Sequence, residues 1–299
     1  MLDTAISIDC DGALAWNDFR NSIIQFEADP AGVTFLDKLP ADAAKWPSWK
    51  LQTAPTNGLS ANWLGFEIPR TNGRRGVVFV DTGSDQGLRL SRTSLGRWLE
   101  KHPGAPRTLE AYYCPGLAEG LVVGEQFWAA SYELAAGIRL EEIPLSLSPN
   151  SEGLADPDYE ATLGLFALTR VGVIVDGRAG RVYLQPCPHP KAEYSYNRIG
   201  AVFTPRDVHG GDLIARVVRG GPAYEAGVRD GDILLQIGDL GATKWQTDPR
   251  ILPLSRFWSQ PAGTEVSLSC LRQGTNLNLT VELKEVFPRA VSPRKPSSN

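Results

Sequence analysis

The sequence predicts a mainly β protein, on three observations. Short apolar or alternating runs bounded by Gly, Pro, Asn and Asp turns outnumber helical patterns along most of the chain. Residues 11–37 and 160–186 share one order of elements at a fixed offset, 160 - 11 = 149. From Tyr196 onward the grammar changes, and one short helix opened by Pro222 and closed by Gly227 separates two apolar strands. Together these predict a β lobe followed by a smaller β domain with short helices, a sandwich or partly open barrel.

In the repeat, Leu14 falls on Leu163, Ala15 on Gly164, Ile24 on Val173, Phe26 on Val175, Val33 on Val182 and Phe35 on Leu184. Each copy reads as a short amphipathic helix, an alternating strand, a turn at Ala31-Gly32 or Ala179-Gly180, and a second strand. Asp37 to Leu59 is a connector with a helical turn around Ala41 to Lys45. Leu64 to Ile68 is a strand, Thr71-Asn72-Gly73 a hairpin signal, and Val77 to Val80 the return strand. Leu95 to His102 reads as a helix capped by Ser94. Strands follow at Glu110 to Cys114, at Leu121 to Val123, and near Leu134 and Ile143. Past Tyr196, strands are expected at Ile199 to Phe203, Leu213 to Val218 and Ile233 to Ile237. An amphipathic helix interrupted by Pro253 spans Pro249 to Ser259, and a hairpin joins Val266–Leu271 to Leu277–Leu283. The tail from Pro288 is too poor in apolar residues to pack.

Composition narrows the function. At 299 residues and 32.5 kDa the chain has room for two or three cores. A net charge of -4 gives no electrostatic basis for nucleic acid or an anionic membrane as partner. No apolar run approaches the ~20 residues that span a bilayer. Met1-Leu2-Asp3-Thr4 has neither the basic nor the apolar part of a signal peptide, which at face value predicts a soluble chain that is not exported. Cys10, Cys114, Cys187 and Cys270 form no CxxC pair, so free thiols are expected, with no metal and no cofactor. His102, His189 and His209 sit beside Pro or Gly in loop contexts, and nothing reads as a nucleophile elbow.

One stretch carries candidate chemistry. Val77-Val78-Phe79-Val80 delivers Asp81, Thr82, Gly83 and Ser84 into a turn. A carboxylate just past a buried strand faces desolvation unless something pairs with it or hydrogen-bonds it. As turn residues, Asp81 and Thr82 would bond nearby N–H groups while Gly83 supplies a positive φ.

Two resemblances extend this reading. Gly221-Pro222-Ala223 through Asp232-Ile233-Leu234 resembles the core signature of bacterial-type PDZ domains, over residues 196–287. That resemblance implies a peptide added as a strand beside Ala201, Val202 and Phe203, with its C-terminal carboxylate on the loop Arg198-Ile199-Gly200-Ala201. Leu254 and Phe257 would line a side-chain pocket. Residues 49–190 resemble one lobe of a retropepsin-like or pepsin-like aspartic protease, through Asp81-Thr82-Gly83-Ser84, the later Thr162-Leu163-Gly164, and the helix and hairpin ending at Leu184. In that family the Leu163-Gly164 position supports the Asp turn, and here 164 - 81 = 83 residues separate them.

The implied activity is an aspartic-type endopeptidase acting on peptides or unfolded proteins. Two carboxylates about 3 Å apart repel by roughly 5 kcal/mol, so the pair shares one proton while activating water. Thr82 and Ser84 would orient Asp81 through their hydroxyls. The second Asp is expected before Met1, since 15 - 83 is negative, and Asp3-Thr4-Ala5 lacks the glycine. Residues 1–48 then read as the remnant of a preceding lobe, of a parent whose bacterial-looking architecture implies export, and a homodimer pairing two Asp81 residues is the other route to a dyad. The alternative function is a non-catalytic peptide-binding or scaffolding protein that retains the lobe.

Overall fold

A computed structural model of the chain describes residues 16–28, 31–52, 63–70, 73–113, 121–149, 158–187, 193–206, 211–248, 250–251 and 253–288. The protein is mainly β. Its elements open with helix α1 (Trp16–Phe19) and strands β1 (Ile23–Ala28) and β2 (Ala31–Leu36). A 3-10 turn at Ala43–Lys45 leads to β3 (Ser48–Leu51), β4 (Leu64–Pro69), β5 (Arg75–Val80) and β6 (Leu88–Leu90). Then come α2 (Arg92–Lys101), β7 (Arg107–Tyr113), β8 (Leu121–Ala135), β9 (Ile138–Leu147), β10 (Tyr159–Leu163), α3 (Leu165–Leu168), β11 (Val171–Asp176) and β12 (Arg181–Pro186). The last part holds β13 (Ala201–Pro205), β14 (Leu213–Val217), α4 (Pro222–Glu225), β15 (Ile233–Ile237), β16 (Leu240–Gly241), α5 (Ser255–Trp258), β17 (Glu265–Arg272) and β18 (Thr275–Glu282).

The chain divides into two compact units. One gathers Cys10–Ala105 with Phe127–Tyr194, the other Pro106–Gln126 with Ser195–Asn299. In the first, the strand order is β2-β1-β11-β12-β3-β4-β5-β10-β6-β9. Its core is built from the inward positions of the alternating runs, among them Phe66, Leu88, Leu140, Leu145, Leu163 and Leu184. Burying each such side chain stabilises the fold by roughly 1.5–3 kcal/mol.

The repeat is visible in the structure. Shifting α1 by the offset gives 16 + 149 = 165 and 19 + 149 = 168, the bounds of α3. The hairpins β1–β2 and β11–β12 follow, and β1 pairs antiparallel with β11. Gln25 faces Ile174, its own equivalent, while Ile24 faces Val175 and Phe26 faces Val173. The pairing is thus reciprocal about a quasi-two-fold axis. Burial breaks the symmetry: Val182 and Leu184 are 0% exposed, whereas Val33 and Phe35 are 50% and 55% exposed.

Helix α2 begins three residues before the expected start, and its cap is Ser91, whose Oγ accepts the Ser94 N–H at 3.1 Å. The expected cap, Ser94, is thereby corrected: its own N–H is one of the first-turn donors that the cap satisfies. The strands β4 and β5 form the expected hairpin, with Leu64 opposite Val80 and Pro69 opposite Arg75. Thr71 and Asn72 of its turn lie outside the described residues, as do Leu14, Ala15, Cys10, Cys114, His189, His209, Pro249 and the tail from residue 289.

In the second unit, β13-β14-β15-β17-β18 form an antiparallel sheet with β16 paired to β15. Ile199, Phe203, Leu234, Ile237, Leu268 and Cys270 fill its core. Asp232, 1% exposed, receives Arg272 Nε and Nη2 at 2.7 Å each and the Arg229 N–H at 2.9 Å. The expected helix over 249–259 is corrected to the four residues of α5, because Pro253 lacks the N–H that would continue the earlier turn.

Candidate functional site

The Asp81 turn is framed by three strands. β10 runs parallel to β5, with Leu163 beside Val80, and antiparallel to β6, with Leu163 beside Leu88. The strand that enters the turn and the strand that leaves it are therefore held by the same middle strand. The Asp81 N–H donates to Leu163 O at 2.9 Å, and the Gly164 N–H to Gly87 O at 3.0 Å. The Leu165 N–H donates to Ser84 O at 2.7 Å, and the Phe166 N–H to Gln86 O at 3.1 Å. A Cβ at Gly164 would stand 2.3 Å from Gln86 O, so only glycine fits beside this turn.

The end of β10 is anchored by charge. Glu160 is paired with Arg70 Nε at 2.6 Å and accepts from Ser94 Oγ, while Arg70 donates to Asp158 O and Tyr159 O at 2.9 Å each. Tyr159 donates to Arg89 O at 3.0 Å, and burial pushes its pKa up to about 12. Sequence reasoning missed Glu160 and Arg70; both lie in ordinary strand patterns, and no spacing signals their contact.

The side chains of the turn do something other than expected. Asp81, Thr82 and Gly83 are exposed, and the Asp81 carboxylate accepts the Gly83 N–H at 3.0 Å. Gly83 does not have a positive φ. Ser84 is buried, and its Oγ has no hydrogen-bond partner among the described residues, so it does not orient Asp81 as expected.

A second cluster lies in the other unit. Gly200 has φ +68, a conformation that favours glycine and turns the chain into β13. Ile199 O accepts the Ala223 N–H and Gly200 O the Val218 N–H, both at 2.8 Å. The Arg198 N–H donates to Trp258 O at 2.9 Å, and Arg198 Nη1 to Ser259 O at 2.9 Å. The loop is thus clamped between α4 and α5. Ile199, Ala201 and Leu254 are buried in the core of this unit, with Phe257 half-buried against it, and Val202 is buried on the opposite face of β13.

Sequence reasoning named Arg198 and passed over its neighbour. Asn197 Oδ1 accepts the N–H groups of both Ile199 and Gly200 at 3.0 Å. Its Nδ2 donates to Leu109 O at 3.0 Å and to Ala201 O at 2.7 Å. Of the cysteines, Cys187 and Cys270 are free thiols, and burial pushes Cys270 up to about 11. Among the described residues no cluster of metal-ligating side chains occurs, and no helix is long and apolar enough to cross a membrane.

No known protein family and no curated protein matches the chain. Solved structures do. The HtrA-type protease AlgW with a tripeptide is 13% identical, over 88% of this chain and 92% of that one, with a TM-score of 0.27. A serine endoprotease from Yersinia pestis is 11% identical over 91% and 98%, at 0.24. A PDZ domain protein from Parabacteroides distasonis is 11% identical over 76% and 83%, at 0.20. Such scores lie below those of a shared overall fold and carry no assignment of residues. Their names include HtrA-type and serine proteases and a PDZ domain protein.

The expected aspartic-type endopeptidase is corrected. The protease from Yersinia pestis is named a serine endoprotease. The geometry supplies a physical reason: a proton-sharing dyad needs two acids in one desolvated place. Asp81 instead faces solvent, tied to an N–H of its own turn and unsupported by the Ser84 hydroxyl.

Proposed function

We propose that the chain acts on polypeptides and that its C-terminal β domain binds them, an extended peptide adding along β13 with its terminal carboxylate at the Ile199 and Gly200 N–H groups. The observation that carries this reading is the convergence of those two consecutive N–H groups on a single oxygen, each at 3.0 Å. Backbone N–H groups arranged in this way form a concavity suited to a carboxylate oxygen, and charge-assisted bonds of this kind are about twice as strong as neutral ones. β13 stands at the end of the sheet order in its unit, which gives an incoming strand a register to follow.

The test is fluorescence anisotropy with labelled peptides ending in a free carboxylate, titrated with the protein and with Gly200→Val. A side chain at φ +68, with Pro222 Cδ 3.3 Å from the new Cβ, distorts the loop, so binding is expected to fall tenfold or more. Equal binding by both proteins, or none by either, overturns the reading. Incubation with an unfolded protein then separates its two halves: cleavage that is competed by the peptide marks a hydrolase, and capture without cleavage marks a binding protein.

A further inference from the structure

We propose that Asn197 is a built-in surrogate for a peptide's terminal carboxylate and that, together with β7, it forms a latch over the peptide site. This rests on the peptide-binding reading above. The two loop N–H groups point at one place, and the Asn197 Oδ1 already occupies it. A carboxylate oxygen and the amide oxygen cannot both stand 3.0 Å from the same two donors, so the two exclude one another.

The amide is held from its other end as well. Its Nδ2 bonds to Leu109 O on β7, 88 residues away in the chain, and to Ala201 O at the start of β13. A second staple reinforces the first, since the fully buried Thr108 Oγ1 donates to Asn197 O at 2.7 Å. β7 lies against β13. Val202 is only 2% exposed although it belongs to no part of the domain's core, and Thr204 is buried too, so one face of the strand meant to receive a peptide is already covered. One side chain therefore links the carboxylate position to the element packed against the docking strand. A ligand that displaces the amide oxygen also breaks the bond that holds β7.

Such a latch lowers apparent affinity by the fraction of molecules that are open, so one closed about nine-tenths of the time weakens binding about tenfold. The experiment titrates the full chain, Asn197→Ala and Thr108→Val with one labelled peptide in two forms, free carboxylate and C-terminal amide. Asn197→Ala is expected to bind the carboxylate form about tenfold more tightly than the native chain, with no gain for the amidated form and a smaller gain for Thr108→Val. Hydrogen exchange of the native chain supplies a readout that needs no variant: amides of Arg107–Tyr113 are expected to exchange faster when the carboxylate peptide is bound. Equal affinity of native and variant chains, an equal gain for the amidated peptide, or unchanged exchange in β7 overturns the latch and leaves peptide binding standing. Absence of binding by every protein overturns peptide binding and the latch together.

Discussion

Gly164 shows how little room the Asp81 turn leaves around it. The nearest obstacles to a side chain are backbone atoms, Gln86 O at 2.3 Å and Gln86 C at 2.9 Å, which cannot rotate away as a side chain would. Gly164→Ala is expected to cost on the order of 3 kcal/mol, read as a lowered urea midpoint. Gly96 is the opposite case, a glycine inside α2 with nothing within 4 Å of a built Cβ. Gly96→Ala is expected to stabilise by about 1 kcal/mol in the same titration, since alanine loses less conformational freedom in a helix. Two glycines responding alike would mean that the close approach at Gly164 does not decide its identity. Gly164 is singled out in the sequence by the resemblance carried by Thr162-Leu163-Gly164 and by its match to Ala15 in the repeat. Asn197 was not, because an isolated Asn before a loop carries no periodicity, and its partner Leu109 is distant in sequence.

At the level of elements, the paired hairpins provide an internal control. Val33 and Val182 occupy equivalent positions, one 50% exposed and the other fully buried. Val182→Ala is expected to cost about 2 kcal/mol, while Val33→Ala stays within roughly 0.5 kcal/mol of the native chain. Equal costs, measured by urea denaturation, would show that burial does not set the energetics of the repeat. Alternation made the strands readable, since Val173, Val175, Val182 and Leu184 point inward in β11 and β12 as their spacing requires. Ends of helices were less readable. Ser91 and Ser94 both suit a cap, and Pro253 divides a stretch whose apolar residues Leu254, Phe257 and Trp258 otherwise suggest a longer helix. At Ser91 a backbone donor decides the boundary, and at Pro253 the lack of one does.

Considered whole, the described residues build two principal cores with no residue in common. Asp232→Ala removes the Arg272 pair and the Arg229 N–H bond from the second of them. Calorimetry is expected to resolve two transitions, with this substitution lowering one by the equivalent of about 2–3 kcal/mol, discounted for the partly exposed guanidinium. A single transition that moves as a whole would show that the cores melt together. The change in grammar at Tyr196 made the second core legible. The grouping of Pro106–Gln126 with it was not, because long-range contacts of β7 leave no periodic trace. The seam between β1 and β11 has a consequence of its own. Reciprocal pairing around Gln25 and Ile174 is the self-complementary contact that two identical subunits make. Here both halves are tethered in one polypeptide, so an association that dilution would undo between separate molecules persists at any concentration.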